Sequence, residues 1–228
     1  MKRFWKTVSI DAERVVRLDD RPVRTPGRTP LAVPTDALAE AIAEEWRSVG
    51  EVIDPRAMRL TGLANAAIDR VAADPVAFAA SLAKYGETDL LCYRALEPPP
   101  LVERQAAAWD PLLAWARTRY DVGFEVTSGV IPVTQPPQTI ERLGKAVASR
   151  DTFALAGLSP LVTTTGSLVG ALALAERAFD AETVWTAAQI DEDWQTEMWG
   201  EDSLATEAAA ARRADFDAAA RFLELLSG

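Results

Sequence analysis

The sequence predicts a predominantly helical α+β protein: a small N-terminal α+β domain at residues 1–74, with β-hairpins plus helices, followed by a larger helical bundle at residues 75–228. Three observations carry this. Short β-rich runs separated by turn residues cluster in the first thirty-odd positions. Beyond residue 75 most apolar positions recur at spacings of three and four, the period of an amphipathic helix. Asp74-Pro75 is the sharpest break, because the residue before a proline leaves the helical region and proline suits the first turn of a new helix.

Phe4 to Ile10 and Val15 to Leu18 read as strands, with Asp19-Asp20 as the turn before Pro22 to Thr25. Pro22, Pro26, Pro30 and Pro34 hold the next stretch to edge-strand or extended backbone. Thr35 is the expected N-cap of a helix carrying Leu38, Ile42 and Trp46, which Gly50 ends. A second helix is expected over Thr61–Ala73. The bundle then comprises helices over Pro75–Tyr85, Thr88–Ala95, Leu101–Tyr120 (with an internal start at Asp110-Pro111) and Gln138–Ser149. Further helices are expected over Asp151–Leu158, Ser159–Phe179, Ala181–Trp199 and Asp202–Leu226. Gly123 to Thr134 contains strand-like pieces, and Pro98-Pro99-Pro100 and Pro136-Pro137 are stiff connectors.

Composition narrows the function. The apolar fraction of 49% and charged fraction of 25% are those of a soluble globular protein, with no apolar run long enough to span a membrane. The first residues lack the apolar run of a secretory signal and no transit segment is recognisable, so a bacterial, cytoplasmic address is expected. A net charge of −10 argues against nucleic-acid binding. The charge is uneven: residues 1–30 hold eight Lys or Arg against four acids. That basic front is either a binding surface or a hairpin whose solvated charges resist aggregation.

Histidine is absent, which removes the usual general base, the Ser-His and Cys-His pairs and the commonest metal ligand. The single Cys92 lies in an apolar run and is expected in the core. Thr163 to Ser167 has neither the spacing nor the lysine of a phosphate-binding loop; Gly166 and Gly170 suit close helix packing instead. No cofactor is expected.

Between Ala178 and Ala211 stand nine acidic residues and no Lys or Arg, centred on Ile190-Asp-Glu-Asp-Trp-Gln-Thr-Glu-Met-Trp-Gly200. As a helix this segment puts Ala187, Ile190, Trp194 and Met198 on one stripe, with Trp185, Glu192 and Trp199 opposite. Such a helix is either buried between neighbours or keeps one face open for a partner. Glu192 with Asp193, and Glu197 with Glu201, offer carboxylate pairs for acid–base work or a hard cation, the alternative reading being a carboxylate-based, metal-assisted hydrolase. Equally, tryptophan beside carboxylates suits docking of a basic protein partner.

Several blocks in order carry a family resemblance. They include Arg3-Phe-Trp-Lys6, Leu18-Asp-Asp-Arg-Pro-Val-Arg-Thr-Pro26, Pro34-Thr-Asp-Ala-Leu-Ala39, Glu44-Glu-Trp46 and Met58-Arg-Leu-Thr61 with Leu63-Ala-Asn-Ala-Ala-Ile-Asp69. Thr88-Asp-Leu-Leu-Cys-Tyr-Arg94, Trp109-Asp-Pro-Leu-Leu113, Gly166-Ser-Leu-Val169 and Asp191 to Gly200 follow. Over nearly its whole length the chain resembles the assembly chaperones of F-type ATP synthase that attend the alpha subunit of the catalytic head, the ATP-twelve family. The resemblance implies a two-domain protein that is not an enzyme, binds unassembled alpha subunit and prevents its aggregation without nucleotide. It implies a mitochondrial matrix location for eukaryotic relatives. It also marks a functional glutamate before the Trp-Gly pair, which Glu197 matches; the partner-binding residues expected are Glu192, Trp194, Glu197 and Trp199. The chain departs from the family's usual residues at Asp20 (commonly Gly), Arg59 (commonly Pro) and Ala66 (commonly Thr).

Overall fold

A computed structural model describes residues 2–129, 131–200 and 203–227, with side chains described outside 203–206. The chain divides into two compact units: Met1–Pro75 with Asp151–Gly157 and Ala218–Gly228, and Val76–Arg150 with Leu158–Asp217.

In the first unit β1 (Val8–Ile10), β2 (Val16–Leu18) and β3 (Arg21–Pro22) form an antiparallel sheet in that order, with Val8 opposite Leu18 and Arg17 opposite Pro22. Proline thus sits on an edge strand, where its missing N–H costs no ladder bond. The expected strand from Phe4 shrinks to three residues because Asp19 claims the preceding backbone. Its Oδ1 accepts from the amides of Lys6 and Thr7 at 3.0 and 2.9 Å. Those amide bonds, Thr7's first, hold the carboxyl below the ordinary range. Asp19, not Asp20, takes the left-handed turn position at φ 52°.

α1 (Asp36–Arg47) begins as the sequence predicts: Thr35 Oγ1 accepts from the Leu38 amide at 3.2 Å, and Leu38, Ala39, Ile42 and Ala43 are buried. It stops at Arg47, three residues before Gly50. α2 (Arg59–Ala66) starts two residues earlier than expected and runs into a wider π turn over Ala67–Val71. Met58 offers it no side-chain cap. Glu45 of α1 does so instead, accepting from the Leu60 and Thr61 amides at 2.8 Å each and from Thr61 Oγ1 at 2.7 Å. Trp5, Val16, Leu31, Leu38, Ile42 and Phe222 are among the residues of this unit's core. Gly157 leaves room there that a Cβ would lose, landing 2.7 Å from Leu223 Cδ2.

The second unit is helical: α3 (Pro75–Ala83, opening on the last residue of the first unit), α4 (Pro99–Tyr120), α5 (Pro137–Ala148), α6 (Thr152–Thr165), α7 (Leu168–Ala175), α8 (Ala181–Trp199) and α9 (Ser203–Leu226). The opening of α6 and the end of α9 belong to the first unit. No helix among the described residues is long and apolar enough to cross a membrane.

Three expectations fail here. The helix over Thr88–Ala95 is replaced by a 3-10 turn at Leu90–Cys92 and by β4 (Tyr93–Arg94), which pairs in parallel with β5 (Thr127–Ser128). The cause is tertiary. Buried Asp89 accepts from the amides of Leu91 and Val169 at 3.1 and 2.8 Å, tying this segment to the start of α7. Asp110-Pro111 does not restart a helix; α4 runs straight through Pro111, with Trp109, Leu112 and Leu113 buried beside it. The break expected between Leu158 and Ser159 moves to Gly166, whose φ of 66° ends α6, while Pro160 stays inside that helix. Gly170 makes the predicted close approach, since a Cβ there would lie 3.3 Å from Val184 of α8. Cys92 is fully buried, and burial foremost pushes its thiol up to about 12, so it is an inert core residue.

Candidate functional site

The acidic helix α8 is capped at its start by Asp180, whose Oδ1 accepts from the Thr183 amide at 2.7 Å. Its first half is a packed helix. Val184, Ala187, Gln189 and Ile190 are buried, and the Trp109 indole of α4 donates to the Ala187 carbonyl at 2.6 Å. The buried Gln105 of α4 donates to Asp191 Oδ1 at 2.6 Å and accepts from the Ala95 amide at 2.7 Å. Trp185 rests against Phe216 of α9 with ring centres 5.2 Å apart. Half of the predicted stripe is therefore core.

The second half emerges. Trp194 is half-buried, while Met198 is 58% and Trp199 is 78% exposed. The acidic run carries no cation of its own, and three of its carboxylates, Glu182, Glu192 and Glu197, are met by arginines from neighbouring helices. Arg104 of α4 donates to Glu197 at 2.7 Å and stacks 4.9 Å over the Trp194 ring. Arg212 and Arg213 of α9 donate to Glu192 and Glu182 at 2.5 and 2.6 Å. The guanidinium of Arg104 holds the Glu197 carboxyl below its ordinary range. Asp193 moves the other way, raised by partial burial first and then by Glu192 and Glu197.

The four candidate residues thus divide. Trp194 and Glu197 share Arg104; Glu192 faces α9; Trp199 stands at the open end of α8. The helical wheel sets Trp199 opposite Trp194, yet both residues line one hollow of about 390 Å³, together with Leu101 and Gln105 of α4. Sequence reasoning misses Arg104, Gln105 and Arg212, because each acts across a helix–helix contact and lies in an ordinary polar helical pattern. Glu201, proposed to pair with Glu197, lies outside the described residues.

Comparison with known proteins fits this architecture. A family described as ATP12 chaperone protein matches residues 2–117. The structure superposes on Atp12 from Paracoccus denitrificans with a TM-score of 0.93 at 48% identity, covering 99% of this chain and 98% of that one. A point mutant of Paracoccus denitrificans Atp12p gives 0.93 at 49% identity, with 99% and 97% covered. A protein from Agrobacterium tumefaciens gives 0.92 at 40% identity, with 99% and 86% covered. The family match stops short of α8, whereas the three structures extend through it. With half the sequence matched by one family and nearly all of it by close structural relatives, the chain belongs to the ATP12 chaperone family.

Proposed function

We propose that this chaperone binds the unassembled alpha subunit of F-type ATP synthase in the bacterial cytoplasm. It keeps that subunit from aggregating, without hydrolysing nucleotide, and contacts it through the open end of α8. The observation that carries the reading is the exposure of Trp199 and Met198, 78% and 58%, at the end of an acidic helix in a chain of this family. A large aromatic side chain left in water gains most by burial in a partner, and tryptophan is enriched among residues that dominate binding energy. The surrounding carboxylates favour a client surface of positive potential and disfavour acidic competitors. An unassembled subunit exposes the apolar interface it will later bury, which aggregates unless covered.

Trp194 and Trp199 are the apolar contacts, and Glu197 is the charged one. Glu192, turned to Arg212, borders the contact on the α9 side. The hydrolase reading has no observation in its favour: Glu192 is bonded to Arg212 and Glu197 to Arg104, and no cluster of three or more potential metal ligands occurs among the described residues. The test is light scattering of purified alpha subunit diluted from denaturant, with and without an equimolar amount of this protein and no ATP. Suppressed scattering is expected, and identical traces would refute the proposal.

A further inference from the structure

Three side chains of α4 bond in turn to α8. Trp109 donates to the Ala187 carbonyl at 2.6 Å, Gln105 to Asp191 at 2.6 Å and Arg104 to Glu197 at 2.7 Å, while the Arg104 guanidinium also covers Trp194. Ala187, Asp191, Trp194 and Glu197 follow one another at spacings of three or four, so they lie along one side of α8. The first two bonds are made by buried side chains, Trp109 at 0% and Gln105 at 1% exposure. The last is open, with Arg104 47% and Glu197 52% exposed.

That difference falls where packing gives out. The buried residues of α8 end at Ile190, so beyond it side chains are oriented by bonds more than by a core. Glu192 is turned to Arg212 of α9. On the α4 side Arg104 holds two residues at once. Its Nη1 bonds the Glu197 carboxylate, and its guanidinium carbon lies 4.9 Å from the centre of the Trp194 ring. A planar guanidinium can make both contacts together, which an ammonium group cannot. An ion pair as exposed as this one adds little to the stability of the fold. Its effect is local, since it removes rotamer freedom from an indole and a carboxylate before any partner arrives, and ordering such side chains is a cost of association.

We infer that Arg104 is a positioning residue of the client contact: it holds Trp194 and Glu197 in the arrangement that binds and acts through them. The inference rests on the chaperone reading for the client's identity, and it adds a residue outside α8 on which client affinity depends. The guanidinium is spent on α8, on one carboxylate and one ring face, so the client meets the indole and carboxylate already ordered.

The test uses the full chain and purified alpha subunit, with affinity and melting temperature measured for each variant. Arg104→Ala is expected to melt with the parent and to bind the client about tenfold more weakly. Arg104→Lys keeps a charge within reach of Glu197 but offers the indole no plane, and is expected to recover part of that loss. In a Trp194→Ala/Glu197→Ala background, Arg104→Ala should cost less than about twofold, because a group that acts through two side chains has no effect once they are gone. A full tenfold loss in that background would make Arg104 a client contact in its own right. A loss that comes only with a lowered melting temperature would make it a structural residue. Either result overturns the positioning role, as does parent-like binding by Arg104→Ala, and each leaves the chaperone reading standing because the parent still binds. A parent that forms no complex overturns that reading and this inference together.

Discussion

Glu45→Ala removes the cap of a helix that cannot cap itself. Met58 precedes α2 without a side-chain acceptor, and the carboxylate of Glu45 reaches across from α1 to accept from Leu60 N, Thr61 N and Thr61 Oγ1 at 2.8, 2.8 and 2.7 Å. Those two amides are the donors that an N-cap residue would ordinarily satisfy, and losing such a cap costs about 1 kcal/mol. A carboxylate at a partly buried helix N-terminus adds about 1 kcal/mol from the helix dipole. The Thr61 hydroxyl, on a residue only 6% exposed, then lacks its acceptor at a further cost of about 1 kcal/mol. The expected destabilisation is therefore about 3 kcal/mol. Glu45→Gln, which keeps one acceptor oxygen but no charge, should lose about half as much. Urea titration gives the stability of each variant, and hydrogen exchange at the Leu60 and Thr61 amides localises the loss. A Glu45→Ala protein within about 0.5 kcal/mol of the parent, the range of ordinary surface changes, would refute the reasoning.

Two further substitutions probe the second unit. Trp109→Phe deletes the indole N–H that binds Ala187 O at 2.6 Å and leaves a void at a fully buried site, so a loss of about 2–3 kcal/mol is expected. Unchanged urea stability would show that α8 is not anchored there. Asp89 is buried, and desolvation raises its pKa from 3.8 to about 6 against the amide bonds that favour its charge. Its native pKa lies above the unfolded one, so folding takes up a proton between these values. Stability of the parent relative to Asp89→Asn should therefore rise as pH falls from 7 to 4, by about 3 kcal/mol over the full range. Parallel pH profiles for the two proteins would contradict this.

Local chemistry made much of the fold legible. The Thr35 cap, the apolar spacing of Leu38 and Ile42, and the extent of α8 from Ala181 to Trp199 all follow from side-chain pattern and turn residues. The misreadings occur where a distant contact outweighs local preference. Leu90–Cys92 turns because Asp89 is pinned to Val169, 80 residues away, and α4 continues past Pro111 because the residues around it are buried. The same limit governs the site. The acidic run and its tryptophans are visible in sequence, but Arg104 and Arg212, which decide where Glu197 and Glu192 point, come from other helices. Helical spacing separates Trp194 from Trp199, whereas in the folded chain both line one hollow.

The central claim, that the open end of α8 holds the client, is tested most directly by Trp199→Ala. At 78% exposure the indole contributes little to the fold, so the melting curve of the variant should overlay that of the parent. Titration calorimetry against purified alpha subunit should then show binding weakened at least tenfold, about 1.4 kcal/mol, as for an aromatic anchor buried in an interface. Equal affinities for parent and variant, with both proteins folded, would place the contact elsewhere on the molecule.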